Sequence, residues 1–132
     1  MVMQKVVLDS DIIIDHLREA TLTLEQILEQ IFQKQILGYI PSVVITEIFS
    51  GQDTKNENRL NLIERILERL EFITPSKEIS QKAGFLMRDY KNLKLGDAII
   101  AATVLSLNAK LATRNRKDFE DIEGLKFFKL PK

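Results

Sequence analysis

Four short apolar runs set into stretches of helical periodicity constrain this chain more than any other feature. Val6-Val7-Leu8 ends abruptly at Asp9-Ser10-Asp11, and Gly38-Tyr39-Ile40 ends at Pro41-Ser42. Phe72-Ile73-Thr74 is closed by Pro75, and Lys110-Leu111-Ala112-Thr113 opens into a charged segment. Lys126-Phe127-Phe128 is a weaker fifth run. Apolar runs this short, without polar alternation, read as strands buried on both faces. Between them apolar residues recur at helical spacing from Leu22 to Leu37 and from Leu60 to Leu70. Ser42 is the expected cap of a helix that stops at Gly51, and Ser76 opens one that runs to about Tyr90. A last helix, Ala98 to Leu107, begins at Gly96-Asp97 and is ended by Asn108. Strands alternating with helices imply an α/β chain: a three-layer α/β/α sandwich around a parallel sheet of four to five strands. At 132 residues the expectation is one domain, 1–132.

Composition then removes whole classes of chemistry. The chain has no cysteine and one histidine, His16, which removes thiol nucleophiles, disulfide scaffolds and structural zinc. A metal site must therefore be built from oxygen ligands, which points to Mg²⁺ or Mn²⁺. Nineteen basic residues balance nineteen acidic ones, so the chain is not a polybasic wrapper of duplex nucleic acid. Contact with nucleic acid would need a local patch or bound cations. The stretch from Met1 to Leu8 is too short and strand-like for a signal peptide, and no apolar run approaches the roughly 18 residues of a membrane span. The expectation is a soluble, cytoplasmic protein with no membrane partner.

In open parallel sheets, ligands bind beyond the carboxyl ends of the strands. Asp9 sits at such an end, where either Asp9 or Asp11 can equally serve as a helix cap. Glu47 falls between Val43 and Val44 on the apolar side of its helix, where a carboxylate loses hydration and needs compensation. Asp97 opens a helix that is apolar all round and so belongs in the core. The helix dipole explains an acid there only in part. Thr113, Asn115 and Asp118 bring polar groups to the same edge, with the cations Arg114, Arg116 and Lys117 among them. Asp9, Glu47 and Asp97 come from three segments that a parallel sheet would converge. Carboxylates so gathered repel one another and are tolerable only around divalent cations. Paired ions of this kind polarise a phosphodiester, while Arg114, Arg116, Lys117, Lys91 and Lys94 hold the flanking backbone.

Four pieces carry a resemblance: Val7 to Asp15, Thr46 to Gly51, Leu95 to Ala102, and Leu111 to Phe119. In this order they resemble the PIN domain, in particular the VapC-like toxins of bacterial and archaeal toxin–antitoxin pairs. The resemblance covers nearly the whole chain. It implies a metal-dependent endoribonuclease, acting on RNA, that forms homodimers and is blocked by a cognate antitoxin. By position, Asp9 and Asp97 look like metal ligands, and Glu47 a third ligand or the orienter of the attacking water. Asp11 looks like a support for Asp9. The family often has an acid just after the Thr113-Arg114 pair; here that place is Asn115, and Asp118 stands in for it three residues later. One ion or two is left open.

Other readings fit parts of the sequence. Leu8-Asp9-Ser10-Asp11 also satisfies the strand-ending Asp-x-Asp of haloacid-dehalogenase-like phosphatases, with Asp9 as nucleophile and Asp11 as acid/base. Such enzymes usually carry another acid shortly after their late metal motif, and Ala98 to Leu107 holds none. A phosphorelay receiver needs an acceptor Asp at the third strand, where this chain has Thr74-Pro75. A catalytically inactive binding module of the same fold is a third alternative, opposed by the retention of all three acids.

Overall fold

The computed structural model describes residues 3–19 and 22–131. Of the amino-terminal stretch Met1 to Leu8, residues 1 and 2 lie outside the described residues. In chain order the elements are β1 (Gln4–Leu8), α1 (Ser10–Arg18), α2 (Leu22–Phe32), β2 (Ile36–Pro41) and α3 (Ser42–Phe49). A 3-10 turn (Gln52–Lys55) leads to α4 (Glu57–Leu67), β3 (Glu71–Ile73), α5 (Lys77–Asp89) and α6 (Leu95–Leu107). β4 (Lys110–Ala112), a second 3-10 turn (Arg116–Asp118) and β5 (Lys126–Phe127) complete the chain. The five strands form one parallel sheet in the order β3-β2-β1-β4-β5.

β1 lies at the centre, pairing Val6 with Gly38 on one side and Val7 with Leu111 on the other. Successive strand side chains point to opposite faces, yet Val6, Val7 and Leu8 are all fully buried. Both faces of the sheet are therefore covered by helices, which is the expected three-layer sandwich. α6 buries Ala98, Ile100, Ala101, Ala102 and Val104 completely, as a helix without a polar face must. Its small alanines bring it close to β1 and β4. No described helix is long and apolar enough to cross a membrane.

Three local expectations need correction. The helical pattern from Leu22 does not run to Leu37: α2 ends at Phe32, and Ile36 and Leu37 belong to β2. Lys34 takes the left-handed conformation (φ 60°), its N–H donating to Ile31 O at 3.0 Å and that of Gln35 to Gln30 O at 2.9 Å. This is the paired-bond helix stop usually signalled by glycine. Ser42 is the first residue of α3 and not its cap, because Pro41 holds the cap position without a side-chain bond. β3 begins at Glu71 and ends before Thr74; as an edge strand it leaves Phe72 57% exposed. By contrast, Ser76 caps α5 by accepting from Ile79 N at 3.1 Å, and Asn108 ends α6 at φ 53°, both as expected.

Candidate active site

The C-terminal ends of β1 and β4 adjoin, because Asp9 N donates to Ala112 O at 3.0 Å. The chain leaves β1 directly into α1, and Asp9 is the cap: its Oδ1 accepts from Ser10 N at 2.8 Å. Thr113, immediately after β4, is 2% exposed and donates its hydroxyl to Asp9 Oδ2 at 2.8 Å. The same hydroxyl accepts from Asn115 N at 3.0 Å. Asp9 is thus both the structural cap and a buried carboxylate facing the sheet edge, so the two alternatives for this residue coexist.

Asp11, the second residue of α1, lies beside it. Its Oδ2 accepts from Arg114 N at 2.9 Å and lies 3.3 Å from the Thr113 hydroxyl. Its Oδ1 is buried, with no hydrogen-bond partner among the described residues. Glu47, from α3, lies near enough to the Ser10 side chain for it to hold the Glu47 carboxyl down, and a carbon added at Gly96 would come 3.8 Å from Glu47 Oε2. The α3 carboxylate therefore stands against the first turn of α6, where Asp97 is half-buried. Glu47 is more exposed than its helical position implies: Val44 and Ile48 carry the buried face of α3, and Glu47 sits at the rim of that face.

The electrostatics bind these acids into one group. Burial pushes the Asp9 carboxyl up, and Asp97 and Asp118 add to that, against the Thr113 and Ser10 hydrogen bonds. Burial and then the Asp9 charge lift Asp11 to about 6. Glu47 is raised by burial, then by Asp9 and Asp97; Asp97 by burial, then by Asp118, with Lys94 acting the other way. Asp9, Asp11, Glu47 and Asp97 are coupled across three segments of the chain, and the Asp118 charge from a fourth reaches Asp9 and Asp97. Like charges in that position call for a cation.

Among the described residues, no three Asp, Glu, His or Cys side chains close around one point tightly enough to hold an ion. The donor type nevertheless fits a hard divalent cation, being entirely carboxylate and hydroxyl oxygen. The unpartnered Asp11 Oδ1 and the raised carboxyls are further signs that positive charge is wanted here. Asn115 is exposed and offers the cluster only its backbone N–H, through Thr113, whereas the Asp118 charge reaches both Asp9 and Asp97.

The cations divide differently from the expectation. The Arg114 guanidinium turns back onto the protein, 3.4 Å from Asp15 Oδ2 and 3.2 Å from the Thr23 hydroxyl it donates to. Arg116 stacks over the Phe127 ring at 4.8 Å. Lys91, Lys94 and Lys117 instead line a cavity of about 340 Å³ that reaches Asp97 and Asp118. Sequence reasoning missed Ser10, whose N–H donates to Asp9 and whose side chain holds the Glu47 carboxyl down. Its only signal was its place between two aspartates. It also missed Asp15 and Thr23, for which the sequence held none.

A profile of the PIN domain matches residues 6–125. No curated protein matches the chain at a significant level. Solved structures do. The chain is similar to VapBC2 from Rickettsia felis bound to a promoter DNA fragment, with TM-score 0.83 and 24% identity over 95% of this chain and 98% of that one. A toxin–antitoxin complex from Klebsiella pneumoniae gives TM-score 0.73 and 30% identity, over 91% and 94%. VapBC-1 from nontypeable Haemophilus influenzae gives 0.78 and 24%, over 95% and 97%. A profile match that runs from the first strand to the threshold of the last leaves little of the sequence unaccounted for, and the chain belongs to the PIN domain family.

Proposed function

We propose that this protein is a VapC-like toxin: an endoribonuclease dependent on Mg²⁺ or Mn²⁺, acting in the cytoplasm as a homodimer and restrained by a cognate antitoxin. Nuclease activity follows from membership of the family. The toxin–antitoxin complexes among its structural relatives support the antitoxin partner. The observation that carries the reading is the gathering of Asp9, Glu47, Asp97 and Asp118 from separate segments into one electrostatic group at the carboxyl edge of a parallel sheet.

In this reading Asp9 and Asp97 hold the metal, with Glu47 as third ligand and Asp118 completing the set. A bound divalent ion supplies positive charge at the scissile phosphate and acidifies water at neutral pH. The chain's own residues prepare the rest. The Thr113 hydroxyl and Ser10 N fix the two oxygens of Asp9, so that its free lone pairs point in set directions. The alternative role for Glu47, at the rim of the buried face of α3, is to orient the attacking water. Asp11 bonds to Thr113 and to Arg114 N, and so supports Asp9 from behind.

The Asp-x-Asp phosphatase and receiver readings do not survive the family assignment. The inactive-module reading is opposed by the retention of Asp9, Glu47 and Asp97. The test is cleavage of single-stranded RNA by purified protein with Mg²⁺ or Mn²⁺. EDTA is expected to stop it, and Asp9→Asn or Asp97→Asn to abolish it while a cooperative unfolding transition remains. Full activity in both variants would reject the assignment.

A further inference from the structure

Nineteen basic residues balance nineteen acidic ones over the whole chain, yet the two edges of the sheet do not share them evenly. The carboxyl edge gathers Asp9, Asp11, Glu47, Asp97 and Asp118. At the opposite edge, where β1, β4 and β5 begin, lies a cavity of about 330 Å³. Lys5 and Asp9 are four residues apart along β1 and its exit, which at about 3.3 Å per residue separates the two edges by roughly 13 Å. The cavity is therefore a different place from the carboxylate cluster.

Lys5, Lys110 and Lys126 line it together with the turn from α6 into β4, and no described Asp or Glu does. The sheet register sets two of these cations side by side. Lys110 of β4 stands directly opposite Lys126 of β5, and its partner on the other side is Val6, the neighbour of Lys5. Like charges directly opposite one another on adjacent strands are destabilising. None of the ion pairs among the described residues involves any of the three. The carboxyl end of α6 adjoins the cavity, but a helix end carries only about half an elementary charge. Its Val104 and Leu105 carbonyls are moreover taken, by Ala109 N at 2.9 Å and Asn108 N at 3.2 Å. Lys5 and Lys110 are each only partly exposed, so salt screens them less than side chains standing out in water. Three positive charges share this edge without a full negative charge to meet them.

The type of cation narrows the anion. A planar carboxylate is matched by the forked guanidinium of arginine, and no described arginine lines this cavity. Lysine is a point charge with three rotatable donors, suited to the tetrahedral oxygens of phosphate. The exposed Asn108, the left-handed residue that ends α6, adds a carboxamide with N–H donors at the rim. We propose that the amino edge of the sheet is an anion site, separate from the carboxylate cluster, which binds a phosphate group through Lys5, Lys110 and Lys126. The phosphate is that of a small phosphorylated ligand or of an RNA backbone remote from the cut. The site stands independently of the nuclease reading, since no member of the carboxylate cluster takes part in it.

The experiment is thermal unfolding of the full chain in EDTA with inorganic pyrophosphate, at an ionic strength held constant with chloride. Pyrophosphate is expected to raise the wild-type Tm with concentration. Lys110→Gln/Lys126→Gln is expected to lose most of that rise, its affinity falling about two- to fivefold per lysine. Each single variant should lose part of it, and these answer the same question if the double variant folds poorly. Lys82→Gln changes an exposed lysine of α5 and should keep the whole rise. No rise in the wild type, an equal rise in the lysine 110 and 126 variants, or an equal loss in Lys82→Gln overturns the proposal. Fluorescence anisotropy of a labelled single-stranded RNA across a salt series then names the source. In the double variant the slope of log affinity against log salt falls by about 0.7 per lost contact if the RNA backbone occupies the site. It keeps the wild-type value if the ligand is a small phosphorylated molecule.

Discussion

Thr113→Val tests whether one buried hydroxyl holds the cluster together. The substitution keeps shape and volume and deletes a single polar group. In the structure that group donates to Asp9 Oδ2 at 2.8 Å and accepts from Asn115 N at 3.0 Å, with Thr113 only 2% exposed. Asn115 is exposed, so water replaces its lost acceptor. Asp9 is 6% exposed, so its carboxylate loses a donor that water replaces poorly. A hydrogen bond to a charged acceptor is worth about 1.5–3 kcal/mol. For a domain of this size that lowers the Tm by roughly 5–10 °C.

The cost depends on pH, and its sign can be worked out. The Asp9 carboxyl is already raised above 3.8 by burial, and the Thr113 bond is the largest influence holding it down. A carboxyl raised in the folded state stabilises fully below its unfolded pKa, and that contribution is lost as pH rises through the folded value. Removing the hydroxyl raises Asp9 further, so more is lost at neutral pH. Urea unfolding in EDTA should give a gap between wild type and variant of about 1 kcal/mol at pH 4, where only a neutral bond is missing, and about 1.5–3 kcal/mol at pH 7.5. A gap that is the same at both pH values, or below about 0.5 kcal/mol at neutral pH, refutes the argument.

Further outcomes follow from the same geometry. Asp11 is raised from 3.8 to about 6, so its contribution to stability is complete below about pH 4 and lost as pH passes 6. Relative to wild type, Asp11→Asn should therefore gain about 1–2 kcal/mol between pH 4 and 7, after allowance for solvent screening, as read by denaturant unfolding in EDTA. Asp97→Asn removes a charge that Asp118 opposes, so its Tm in EDTA should rise slightly, by about 1–3 °C. The same variant should lose the Tm increase that Mn²⁺ produces in the wild type, a differential-scanning measurement independent of cleavage. Lys34→Gly relieves a left-handed residue at the end of α2 and should stabilise by about 0.5–1 kcal/mol, with the denaturant m-value unchanged.

The two helix stops show what a sequence makes legible. α2 and α6 end with the same pair of backbone bonds around a left-handed residue. At the end of α6 that residue is Asn108, a type that tolerates the conformation, and the boundary is readable. At the end of α2 it is Lys34, which gives no signal, and the apolar period runs on into β2. Glu47 illustrates a second limit. Helical spacing put it on the apolar side, but its exposure depends on how α3 is turned against α1 and α6, which spacing alone does not state.

Local pattern was enough to determine the alternation of strands and helices, the buried character of the helix after Asp97, and the identity of the acids at element ends. Those follow from hydrophobic periodicity and capping chemistry, which act over a few residues. The order of the strands, the sharing of the Thr113 hydroxyl between α1 and the loop after β4, and the turning of Arg114 away from the sheet edge were decided only in three dimensions. These depend on groups about a hundred positions apart along the chain. A side chain's charge is written in the sequence; which partner neutralises it is settled by what the packed chain brings within reach.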